Sequence, residues 1–162
     1  AVINAEREVV ERSPHSMVVS YVDVSRDAAI AGDYKDFKFK NNRNYPIKII
    51  ASTSGKNIYF SIYGLKTDED YEVKIVSTEI GTVPYSTIYK NNSELPSGTQ
   101  KVIQNGSNGC KTETYKILLK NGTEVSRVRI NSDTYKPHNK IVANGTGTVP
   151  TQNNNDTVIT VN

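Results

Sequence analysis

Tryptophan is absent from the 162 residues, and cysteine and methionine occur once each. The single cysteine, Cys110, excludes an internal disulfide framework and a cysteine-rich zinc site. With histidine only at His15 and His138, a conventional metal cluster is not expected, and no cofactor is expected either. No run of about 18 apolar residues is present, so no helix of the kind that crosses a membrane is predicted. No basic-then-apolar stretch opens the sequence, so no signal peptide is read in it. One-signed charge is also scarce: the net charge is +3 and no block of five like charges occurs. Nucleic-acid binding would need a concentrated basic stripe with interleaved aromatics. The nearest approach, Tyr34 to Lys40, is diluted by Asp33 and Asp36, and that function is set aside. Without tryptophan, stacking on sugars falls to the ten tyrosines.

Hydrophobic residues make up 36% of the chain, which is lean for one large core and suits thin, sheet-rich modules. Val2, Ala5, Val9 and Val10 recur at helical spacing, so a short helix is predicted over residues 1–12, ended by Ser13-Pro14. It has no cap before Ala1. Strands follow. Met17–Val22 is rich in β-branched residues. Residues 46–53 and 58–63 alternate on either side of a turn at Ser54 to Asn57, which predicts a hairpin with Ile58, Phe60 and Ile62 on one face. Residues 71–80 alternate as well. The strongest local signal is Asn121-Gly122 between residues 113–120 and 123–130, a pair suited to a two-residue turn with both residues at positive φ. In the second strand Val128 and Ile130 share one face, with Arg127 and Arg129 on the other. Composition shifts near residues 65–70. The reading is mainly β, or β-rich α+β: a short helix with antiparallel hairpins over 1–68, an elongated β-sheet module over 69–148, and a polar linker and tail over 149–162, with a last strand at Val158–Val161.

Two resemblances run along this plan. Val9, Val10, Glu11 and Arg12, then His15-Ser16, then Val19-Ser20-Tyr21-Val22, then Asp27-Ala28, then Asp36 to Asn41 and Pro46 to Ile49, resemble the C-terminal half of the VanW family domain. The family's upstream Gly-Gly-rich turn and Cys-Gln stretch are missing, so the sequence reads as a C-terminal part of a longer exported protein. Residues 71–148 are similar to the five-glycine domain of Gram-positive surface proteins, with Gly98, Gly106, Gly109, Gly122 and Gly145 at the family's glycine positions. That resemblance implies an elongated β-sheet module, found beside wall hydrolases, proteases and adhesins. It also implies an extracytoplasmic place at the cell wall or surface, with peptidoglycan or another N-acetylglucosamine-containing glycan as partner.

The chemistry implied by the first resemblance rests on order. A Cys on a helix start, then His, then Asp resembles the logic of thiol hydrolases: an imidazole takes the thiol's proton and a third group orients the ring. His15 would be the base and Asp27 the orienting group, meeting at one end of the first module. The other reading makes His15 a turn residue satisfied by backbone carbonyls. Cys110, in the second module, reads as a small strand residue that does not replace the missing thiol, so the chain by itself is expected to be inactive. Four of the five glycines follow Asn and read as turn positions. Tyr59, Tyr63, Tyr85, Tyr89, Tyr115 and Tyr135 fall in or beside predicted strands and either bind sugar faces or cover a thin core. Arg127 and Arg129 either bind carboxylates of stem peptides or are solvated. Three functions stay open: a module binding or spacing along peptidoglycan, the His/Asp half of a cysteine-dependent hydrolase or transpeptidase, and a passive stalk.

Overall fold

The computed structural model describes residues 1–65 and 71–148. Among these residues every regular element is a strand: β1 (Glu8–Glu11), β2 (Lys38–Lys40), β3 (Lys48–Ser54), β4 (Asn57–Tyr63), β5 (Glu72–Val83), β6 (Thr87–Pro96), β7 (Gln100–Gln104), β8 (Gly109–Lys120), β9 (Thr123–Thr134) and β10 (Lys140–Gly147). They divide into two compact units. One comprises Ala1–Pro84 with Asn108–Pro137; the other comprises Tyr85–Ser107 and the described residues from His138 onward. The sequence-based boundary at 65–70, the tail and the strand at Val158–Val161 lie almost wholly outside the described residues.

The first unit is built on the antiparallel sheet β5-β8-β9, with the two-stranded pairs β1-β2 and β3-β4. Its longest strands, β5, β8 and β9, have 12 residues each. The β8–β9 connection is the Asn121-Gly122 turn: Lys120 pairs with Thr123, and the two turn residues have φ of 53° and 77°. Both φ values are left-handed, the geometry that lets a two-residue loop follow the strand twist. The hairpin β3–β4 turns through Gly55-Lys56 and pairs Ile49 with Ile62, Ala51 with Phe60 and Thr53 with Ile58. Its apolar face stays open, since Ile49, Ile58 and Phe60 are each more than half exposed.

The predicted N-terminal helix is not formed. Residues 1–6 make a single turn, with the Ala5 N–H bonded to Ala1 O at 2.9 Å. Glu6 then takes φ 53°, and the bonds Glu6 N–H to Ile3 O and Arg7 N–H to Val2 O close the turn in the manner of a helix C-terminus. Val9 and Val10, β-branched, continue as β1 against β2. The predicted strand Met17–Val22 is also absent. Among the described residues no strand pairs with it, and without a ladder the β-propensity of its valines does not suffice. Met17, Val18 and Tyr21 are exposed instead.

The core of the first unit is unusually polar. Beside Ala29, Cys110, Ile117 and Tyr135, the buried side chains are Ser25, Asp27, Thr112, Thr114 and Asp133. Along β8 the inward row is Cys110, Thr112 and Thr114, at period two. A register irregularity between Thr114 and Tyr115 then resets the phase so that Ile117 points inward. In the second unit β10 is central, parallel to β6 and antiparallel to β7, and Val142 and Ala143 are its buried apolar residues.

Candidate functional site

The segment after β1 doubles back on itself. Arg26 N–H bonds Asp23 O at 3.2 Å, Ser25 takes φ 64°, and Ala29 N–H bonds Ser13 O at 2.8 Å. A left-handed non-glycine residue is strained, and such strain persists only where neighbours hold it. Ser25 is held on three sides. Its N–H donates to Tyr135 Oη at 2.7 Å, its hydroxyl meets Thr112 Oγ1 at 2.7 Å, and it also bonds the Asp133 carboxylate.

That reversal delivers Asp27 to His15. Asp27 Oδ2 accepts from the His15 backbone N–H at 2.6 Å and lies 2.7 Å from His15 Nδ1. The other oxygen, Oδ1, accepts from Tyr135 Oη at 2.5 Å and from Arg12 Nη2 at 3.1 Å. Arg12 donates its Nε to the Asp27 carbonyl at 2.7 Å and its Nη1 to Asp133 at 2.5 Å. Burial pushes the Asp27 carboxyl up, but the hydrogen bonds from the His15 backbone, Tyr135 and the His15 ring outweigh it and hold the pKa at about 2. Burial and the bond to Asp27 push the Tyr135 phenol up to about 12.

With Nδ1 engaged by Asp27, the other ring nitrogen, Nε2, is turned away from the carboxylate. It lies 3.2 Å from the hydroxyl of Tyr21, whose ring meets the imidazole edge-on at a centroid distance of 6.0 Å. The His15 side chain is 32% exposed, the Asp27 side chain 2%. One ring nitrogen is thus fixed from behind by a buried carboxylate, and the other meets Tyr21 in an exposed contact. A cleft of about 760 Å³ is lined by Arg12, Ser25, Asp27, Asn131 and Asp133, but not by His15.

The other candidate residues are placed differently. Tyr135, expected at a strand end as a sugar-stacking ring, is 1% exposed and offers no face to a ligand. Tyr115 donates to Glu113 at 2.7 Å and lies beneath the Arg127 guanidinium. Arg127 is paired with Glu124 and Arg129 with Glu113, so both arginines already hold a carboxylate. Tyr85 lies against Gly106, while Tyr89, Tyr59 and Tyr63 are more than half exposed. Cys110 is buried, and burial with Glu79 beside it pushes its thiol up, away from the thiolate.

The glycines correct the turn reading. Gly98 and Gly122 have positive φ and open space where a Cβ would stand. Gly106, Gly109 and Gly145 instead allow close approach. A Cβ would lie 2.4 Å from the Tyr85 ring, 2.0 Å from Tyr135 O and 2.0 Å from Pro96 O, respectively. An Asn before the glycine misled the reading, because it marks a turn only where the chain is free to reverse.

The structure brings His15 and Asp27 together, and around them stand Arg12, Ser25, Thr112, Asn131 and Asp133, which the sequence did not single out. A signal was present. Cys110, Thr112 and Thr114, like Asn131 and Asp133 followed by Tyr135 just past the end of β9, recur at period two on neighbouring strands, and a polar row at that period is a buried network when a partner covers it.

Comparison with known proteins places both halves. Residues 1–63 match the family described as VanW like protein, and residues 74–147 match the G5 domain. The uncharacterized protein YoaR of Bacillus subtilis (strain 168) is 36% identical over 63 residues, covering 39% of this chain and 21% of its own length. The chain thus spans about a fifth of that relative. Among solved structures, the IgA1 protease G5 domain is 29% identical with a TM-score of 0.33, covering 51% of this chain and 99% of that one. HP0197-G5 is 19% identical with a TM-score of 0.28, covering 48% and 100%. No helix among the described residues is long and apolar enough to cross a membrane. The two domain types together suggest an extracellular protein associated with the cell envelope. The chain carries a VanW-like segment over residues 1–63 and a G5 domain over residues 74–147.

Proposed function

We propose that this chain belongs to a wall-associated protein in which His15 is the general base of an acyl-transfer centre and Asp27 its orienting carboxylate. The observation that carries this reading is the 2.7 Å approach of Asp27 to His15 Nδ1, which leaves Nε2 on the exposed side. This reading requires a thiol other than Cys110, which is buried and whose thiol is pushed up. In such a centre the thiol proton passes to Nε2, and the thiolate adds to an amide carbon of a wall peptide. The C–N bond then breaks, the same proton leaving with the amine, and water, its proton taken by Nε2, cleaves the thioester to the carboxylic acid and the free thiol. In the natural protein, His15→Ala should abolish hydrolysis of muropeptide amides while the fold is kept. Retained hydrolysis by that variant would remove the base assignment.

A second reading concerns the strands of residues 72–147, as a module that binds or spaces along peptidoglycan glycan. It is favoured by an open groove of about 480 Å³ in the second unit. Asn91, Asn92 and Ser93 line it together with the apolar residues Ile103, Ile141 and Ala143. Amides that bond hydroxyls beside apolar side chains that meet a ring face suit a sugar. Sedimentation of the chain with purified sacculi tests this. Binding lost in Asn91→Ala/Asn92→Ala supports the groove, and no sedimentation at all leaves the spacer role.

A further inference from the structure

Resting on the reading of His15 and Asp27 as a working pair, we propose that Tyr135 is a positioning residue for it, so that the G5 stretch completes the VanW-like site.

A carboxylate that orients an imidazole must itself be kept from rotating. Asp27 Oδ2 is committed to His15 through both the ring and the main chain. What fixes the plane of the carboxylate is therefore the pair of donors on Oδ1, Tyr135 Oη at 2.5 Å and Arg12 Nη2 at 3.1 Å. Tyr135 is well suited to this. Its side chain is enclosed, its hydroxyl accepts from Ser25 N–H at 2.7 Å, and its own N–H bonds Cys110 O at 2.8 Å. With that backbone donor on its oxygen, the phenol proton is directed at Asp27.

Arg12 is held from the same side of the chain. Its Nη1 meets Asp133 at 2.5 Å, and Asp133 is braced by Asn131 Nδ2 at 2.9 Å and by Ser25. Both donors on Oδ1 thus depend on residues 131–135, which lie inside the G5 match, whereas His15, Asp27 and Arg12 lie inside the VanW match. His15 Nε2 itself meets Tyr21 Oη, which also lies inside the VanW match. The effect of the G5 residues on a reaction would pass through the carboxylate, which separates a positioning role from direct catalysis.

The test needs no substrate. In isotope-labelled chain, the Asp27 side-chain carbon and the His15 ring nitrogens are followed by NMR in wild type and in Tyr135→Phe, with His138 as internal control. Loss of a hydrogen bond to the charged carboxylate should raise the Asp27 midpoint by about one unit and shift the His15 ring signals, leaving His138 unmoved. Unchanged Asp27 and His15 signals in a folded but less stable variant would overturn the proposal and leave Tyr135 a packing residue. Should Tyr135→Phe fail to fold, 3-fluorotyrosine placed at position 135 keeps the ring and strengthens the donor. A His15 shift without a His138 shift then supports the proposal, and no shift overturns it. Because the readout is spectroscopic, a positive result stands even if the muropeptide assay removes the base assignment.

Discussion

Asp27 Oδ2 holds two groups of the same residue, the His15 main-chain N–H at 2.6 Å and the His15 ring at 2.7 Å. One oxygen therefore sets both the position of the backbone and the orientation of the imidazole, which ties the loop's conformation to the chemistry of the exposed nitrogen.

Breaking this pair from the carboxylate side should be costly. Asp27→Asn leaves Arg12 and Tyr135 Oη facing an amide in a buried site, and removal of one partner of a buried ion pair costs about 3–5 kcal/mol. His15→Ala removes a partly exposed ring and should cost about 1 kcal/mol. Urea unfolding of the two variants checks the ordering, which would be reversed if His15 were the structural member.

The acid limb of stability should carry the signature of Asp27. Its folded pKa, about 2, lies below the unfolded value, so its contribution is full above the unfolded pKa and is lost as pH falls through the folded one. The difference amounts to roughly 2–3 kcal/mol, gained between about pH 2 and pH 4. Denaturant midpoints across that window should rise with pH in wild type and stay flatter in Asp27→Asn.

At the alkaline end the sign is opposite. Tyr135 has a folded pKa of about 12, above its unfolded value, so its neutral form stabilises the fold fully below about pH 10. That contribution is lost as pH rises toward 12. Tyr135→Phe should flatten the alkaline loss measured by circular dichroism. Since Asp27 and Tyr135 share one hydrogen bond, the two effects should not add.

The glycines should sort into two groups on substitution. Gly109→Ala and Gly145→Ala drive a methyl against backbone oxygens at 2.0 Å, an overpacking cost of about 1–3 kcal/mol or more. Gly98→Ala meets no atom and bears only the left-handed φ, about 1–2 kcal/mol. Thermal melts of the three variants check this; a larger loss for Gly98→Ala would contradict the close-approach reading.

Cys110 should not react with a thiol reagent such as dithionitrobenzoate until the protein unfolds, because burial and Glu79 keep it protonated. Fast labelling of native protein at pH 8 would show the strand to be open there.

The local alternation of residues 58–63 and the Asn121-Gly122 pair determined their hairpins without help from the rest of the chain, because turn chemistry and period-two patterning act within a few residues. The VanW resemblance singled out His15 and Asp27, and the fold brings the two side chains together. Tertiary structure alone decided the rest. Glu8–Glu11 became a strand and not a helix because Phe39 and its neighbours paired with Glu8, Val9 and Glu11, and Met17–Val22 has no such neighbour among the described residues. Tyr135 became the rear support of Asp27, over 108 residues of chain, through packing that no local pattern encodes. Gly109 and Gly145 are required by atoms of other segments. Long-range contact selects among conformations that local propensity leaves within about a kcal/mol of one another, and that selection set which residues became buried support for the His15 ring.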